Sequence, residues 1–148
     1  MKSIFDSTAR DEILRRIRNL NEKNSAVWGK MSLYQMMKHC TLWDEWIQRS
    51  GGSRQLFIGK ILGKLMLKKV MKDEAPLRKN SPTLPAFVTT GEYGDFTSQQ
   101  EAWIASIRQY ENYEAPEFIH AFFGKMTKEQ IGVLVYKHAD HHLRQFGG

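Results

Sequence analysis

His138 and His142 stand four residues apart near the end of the chain, the interval at which side chains on one helix meet. Two imidazoles at that spacing can grip one divalent ion. With Gln130 set at 0° on a helical wheel, Ile131, Leu134 and Val135 fall between about 40° and 140°, and His138 and His142 at about 80° and 120°. Gln145 follows at about 60°, while Lys137, Asp140 and Arg144 fall on the opposite side, at roughly 280–340°. Both histidines therefore lie in the middle of an apolar stripe. Burying two such rings without partners would cost on the order of a few kcal/mol. A metal ion makes the placement favourable; hydrogen bonding in a core or cleft is the alternative. His141, at about 20°, is at the margin of the face and is the weaker ligand candidate.

A third ligand must come from another element, and His39 flanks an apolar helix face beside Trp43 and Trp46. Three histidines from two helices would leave coordination positions open, the pattern of catalytic zinc. Imidazole suits zinc, nickel, copper and iron alike; zinc or nickel is the expected ion, with iron or manganese as alternatives. Other chemistries lack their residues. His138-Ala139-Asp140-His141-His142 has no glutamate at its second position, so it is not a zinc-protease helix. There is no Gly-rich phosphate loop and no serine-nucleophile elbow. Cys40 faces the apolar centre of its helix and reads as a buried structural thiol.

Five helical segments carry these residues. The first spans about Ser7 to Glu22, with Ile13, Leu14, Ile17 and Leu20 at helical spacing. The second opens at Ser32, whose capping box is completed by Gln35. It presents Leu33, Met36, Met37, Cys40, Trp43 and Ile47 on one face and stops at Ser50-Gly51-Gly52-Ser53. The third, about Gln55 to Met71, is apolar around more than half its circumference. Lys60, Lys64 and Lys68 form its wet stripe, and Gly59 and Gly63 permit close approach of another backbone. From Lys72 to Phe96 runs a long irregular stretch with Pro76, Pro82 and Pro85, which suits a crossover. The fourth helix opens at Thr97, with Gln100 as its capping partner, and carries Trp103, Ile104, Ile107 and Tyr110. After Pro116, residues Phe118 to Phe123 read as a short apolar turn closed by Gly124. The fifth runs from a Thr127/Gln130 capping box to Phe146.

The whole predicts an all-α fold: one domain over residues 1–148, a four-helix bundle with a short additional helix and a long crossover loop. One cysteine among 148 residues excludes an internal disulfide. Without an apolar leader or membrane span, a cytoplasmic protein is expected. Residues 54–79 hold eight basic and two acidic residues, an excess equal to the net charge of +6. No nucleic-acid recognition motif accompanies those lysines, which argues against such a partner. They read instead as a solvated helix face.

Two stretches, "WGKMSLYQMMKHC" (Trp28 to Cys40) and "HAFFGKMTKEQIGVLVYKHADHHLRQFG" (His120 to Gly147), resemble an uncharacterised bacterial family within the DinB/YfiT-like superfamily. The His-x-x-x-His-x-x-Gln spacing is the more specific part. The resemblance implies an up-down-down-up bundle and a divalent metal held by His39, His138 and His142. It also implies a homodimer, for which Gly59 and Gly63 offer a flat contact. By the same analogy, the expected activity is that of a metal-dependent thiol S-transferase-like or detoxifying enzyme, acting on a small-molecule substrate with a low-molecular-weight thiol. The basic segment could then bind the thiol's carboxylates. A metal-dependent hydrolase, or a non-enzymatic stress-related binding protein with a structural metal, are the alternatives. Trp28, Trp43, Trp46, Phe122 and Phe123 are candidates for a pocket lining, though most are expected to be core.

Overall fold

The first helix, α1 (Ser7–Asn19), starts where the Asp6 carboxylate accepts the backbone N–H groups of Thr8 and Ala9 at 2.8 and 3.2 Å. That contact satisfies two donors that every helix start leaves open. The computed structural model describes residues 1–49, 51–114 and 117–148. Ser50 and Pro116, read from the sequence as parts of a helix stop and a boundary, lie outside the described residues.

α1 ends earlier than its periodicity suggests. The Gln100 side chain donates to the carbonyls of Ile17 and Leu20 at 2.8 and 3.0 Å, and Asn21 and Asn24 close a local turn. α2 (Leu33–Gln48) opens on the expected Ser32/Gln35 capping box, and its apolar face from Leu33 to Ile47 is buried. α3 (Phe57–Val70) follows, and α4 (Phe96–Gln109) begins at a different cap from the one expected. Asp95, not Thr97, accepts the Ser98 N–H at 2.7 Å. That frees Gln100 for its longer-range task on α1. α5 (Lys128–Gln145) has the Thr127/Gln130 capping box as read.

Helices α1, α2, α4 and α5 pack together, α1 and α2 each touching both α4 and α5. Ile4, Ile13, Ile17, Met36, Met37, Ile47, Trp103, Ile107 and Leu143 fill the space between them. The segment between α3 and α4 contains only a short 3-10 turn, Pro85–Phe87, consistent with a crossover.

The fold is mostly helical, but it is not all-α. β1 (Gly51–Gly52) pairs in parallel with β2 (Phe118–His120), which pairs antiparallel with β3 (Gly124–Met126). Strands of two or three residues are too short to show a period of two, so the apolar turn read at 118–123 is in fact a hairpin. Gly124 leaves the turn into β3 at φ 79°, a conformation that strongly favours glycine.

The third helix packs through one narrow face. Only Gly59, Gly63 and Leu67 are buried along it. A Cβ on either glycine would strike the Phe122 carbonyl oxygen. Close backbone approach is thus confirmed, but the backbone is the chain's own hairpin. These glycines are not free to form the flat contact of a dimer.

On α5, Lys137 and Asp140, on the side opposite the histidines, are buried as well. The Lys137 ammonium donates to the carbonyls of Val70, Asp73 and Ala75, and Asp140 pairs with Arg16 of α1 at 2.7 Å. α5 is thereby covered on both sides, which fixes its rotation about its own axis.

Candidate metal centre

That fixed rotation brings His138 and His142 to face α2. His39, His138 and His142 converge, with one ligand atom from each lying within 4.8 Å of the others. His39 and His142 are 5% and 7% exposed, and His138 is partly exposed. His141 points elsewhere and packs edge-on against Trp28 at 5.7 Å. Cys40 is buried and free, its thiol pushed well up by burial and then by the neighbouring Asp44 charge.

Hydrogen bonds orient two of the three rings. His39 Nδ1 lies 2.8 Å from the Phe87 carbonyl oxygen. A carbonyl can only accept, so Nδ1 carries the proton and Nε2 presents its lone pair. His142 Nδ1 lies 2.9 Å from Gln145 Oε1, while Gln145 Nε2 donates to the Trp28 carbonyl at 2.8 Å. The Trp28 carbonyl fixes the amide's orientation. His142 Nδ1 is therefore the donor, and its Nε2 is free as well. Such outer partners are how proteins hold ligating histidines in one tautomer. Trp43 stacks on the His138 ring, with centroids 4.0 Å apart and planes 23° from parallel.

The result is an arrangement that could hold a cation. His39 Nε2 sits 3.3 Å from His138 Nε2, and the His39 lone pair needs something positive or a proton opposite it. A neutral His138 can place its one proton there in its Nε2–H tautomer, or leave that nitrogen free for an ion, but a second proton on any of the three rings is disfavoured. Burial pulls His142 down to about 3, with His39 adding to the effect. It also pulls His138 well below the ordinary histidine range, followed by the influence of His142 and His39. His39 is lowered by burial against the opposing Phe87 hydrogen bond. Three neutral imidazoles, with Nε2 free on His39 and His142 and free on His138 in its Nδ1–H tautomer, could hold a divalent ion without a net loss of protons at pH 7.

A pH consequence follows for chelator-treated protein. The folded pKa of His142, about 3, lies below the ordinary histidine value of 6.5, so between those values the unfolded chain binds more protons than the folded one. Stability is expected to fall as pH drops below about 6.5 and to level off once the folded ring protonates. Comparing melts of wild type and His142→Leu at several pH values between 7.5 and 5 isolates this slope. Equal slopes would mean that the ring is not held neutral.

Some contributors were not singled out from the sequence. Phe87 acts through its backbone carbonyl, which leaves no side-chain signal. Gln145 was read as inward-facing but given no role. Asp44 lies fully buried on the apolar face of α2, where its place one turn after Cys40 could have marked it. Of the aromatic pocket candidates, Trp43 is buried against the site, while Trp28, Trp46, Phe122 and Phe123 are partly buried.

Over residues 2–147 the chain matches the model of a family described as a protein of unknown function, DUF1569, and it belongs to that family. No curated protein matches it, and no solved structure does either. Among the described residues, no helix is long and apolar enough to cross a membrane.

Proposed function

We propose that this protein binds one divalent metal ion through His39, His138 and His142 and uses it in a reaction of the thiol S-transferase-like or detoxifying class. The observation that carries the metal reading is the 3.3 Å approach of His39 Nε2 to His138 Nε2, with the His39 proton committed to Phe87. Among the described residues the cluster has three members, and no fourth histidine, cysteine or carboxylate joins it. A purely structural ion would be expected to have a closed shell, whereas three protein ligands fit an ion with positions left for a substrate. Bound there, a zinc or nickel ion would supply Lewis acidity. The protein's own part is to hold three lone pairs on one point and, through Trp43, to shield one side from water.

A place in the DinB/YfiT-like superfamily is part of the same proposal. Its support is one early-helix histidine meeting a late-helix pair within four packed helices joined by a long crossover. The thiol preference rests on that likeness.

Reconstitution of tag-free protein with cobalt(II) tests both halves. About one equivalent should bind, and adding a low-molecular-weight thiol should produce a sulfur-to-cobalt charge-transfer band. Failure to bind metal would overturn the site. Binding without any response to thiols would leave the metal and remove the transferase reading.

A further inference from the structure

α3 presents a surface that the helical core does not use. We propose that this face docks the protein on an anionic lipid surface, its apolar stripe entering the headgroup boundary and its lysines pairing with lipid phosphates.

The geometry is specific. With Gly59 at 0° on the wheel, the buried positions Gly59, Gly63 and Leu67 centre near 40°. Ile61, Leu65, Ile58 and Leu62 fall at about 200–300°, so the stripe is centred on the far side of the helix from its packed face. Phe57, Ile61 and Leu65 are 78%, 65% and 66% exposed, and Ile58, Leu62 and Met66 are exposed as well. Side chains of this size present on the order of 200 Å² each when free. Those six exposures leave roughly 700 Å² of apolar surface, at or above the upper end of what a monomer shows.

Charge selects the occupant. Lys60, Lys64 and Lys68 run along one flank of the stripe at about 100–180°, and Lys69 lies near its end. No acidic residue occurs between Phe57 and Val70. An apolar stripe bordered by lysines is the pattern of a helix lying in the plane of an anionic membrane. Lysine stems can extend along the apolar surface to place their charges at the phosphates. A second copy of the chain fits less well. Pairing α3 with itself would bring two acid-free lysine rows together, and like charges brought face to face oppose association.

Flotation of the full-length protein with vesicles of phosphatidylcholine, alone or mixed with phosphatidylglycerol, tests the proposal. Binding should require the anionic lipid and weaken about tenfold or more from low to high salt. Ile61→Glu/Leu65→Glu and, separately, Lys60→Glu/Lys64→Glu/Lys68→Glu should each reduce partitioning at least about tenfold. Unchanged circular dichroism would show that these exposed substitutions leave the fold intact. Absence of anionic-lipid binding, or binding unaffected by either variant, would overturn the proposal. So would a concentration-dependent dimer in sedimentation velocity, lost in Ile61→Glu/Leu65→Glu, without vesicle binding; the face would then belong to a second copy. The histidine site takes no part in this test.

Discussion

Protein carrying His138→Ala and His142→Ala together is expected to bind no stoichiometric metal while keeping its helical spectrum. Two of the three converging ligand atoms are gone, and His39 alone is a monodentate site on a half-open face. The loss should exceed the roughly 10–100-fold that removing an outer hydrogen-bond partner costs. Gln145→Ala supplies that smaller step. It leaves all three rings but frees His142 Nδ1 from its acceptor, so affinity should fall about 10–100-fold. Elemental analysis after dialysis against a weak chelator, followed by competition titration, reads both. The fold has a reason to survive, because the core of Ile13, Ile17, Met36, Trp103, Ile107 and Leu143 does not pass through the histidines. Metal-free double variant could even melt above metal-free wild type, since two poorly solvated rings have been removed. If the double variant retained full metal, the ion would sit elsewhere and the convergence of the three rings would be a core arrangement.

What could be read from the sequence was what is local. The Ser32/Gln35 and Thr127/Gln130 boxes and the apolar faces of α2 and α5 depend on neighbours within one or two turns. The histidine pair was legible for the same reason: four residues on a helix settle their relation. His39 required two helices to meet, and only its place beside a packed face hinted at that. The 118–126 hairpin was missed for a local reason, strands too short to show a period; other misreadings are long-range. Gln100 looked like a capping partner for Thr97, but it serves the end of α1 some 80 positions away in sequence. Lys137 and Asp140 were placed opposite the histidines but given no partners, because the chain that covers them, residues 70–75 and α1, is remote in sequence. In α3, apolar residues outnumber the space available to bury them. Periodicity reports that a helix has an apolar side, not whether the fold has anything to place against it.

Asp44→Ala is expected to destabilise the protein more than any substitution at the histidines. The carboxylate is 2% exposed and accepts from Trp103 Nε1 at 3.1 Å and Tyr110 Oη at 2.9 Å, joining α2 to α4 and the turn that follows it. Alanine would strand both buried donors, at about 1–3 kcal/mol each. The sum is a large share of a typical total of about 5–15 kcal/mol. Asn keeps the size and one acceptor oxygen, so it should cost about half as much. The difference between wild type and Asn should also depend on pH. Burial raises the Asp44 pKa from 3.8 to about 7, against the two hydrogen bonds that favour the anion. Between those values the folded state binds more protons than the unfolded one, so wild-type stability falls as pH rises through that window. Asn has no such slope. The wild-type advantage should therefore be greatest near pH 5 and shrink towards pH 8, opposite in sign to the contribution of His142. Chemical denaturation of wild type and Asp44→Asn across that range measures it. A gap that stayed constant would mean that Asp44 remains ionised inside the core, and that the indole and phenol donors outweigh its burial.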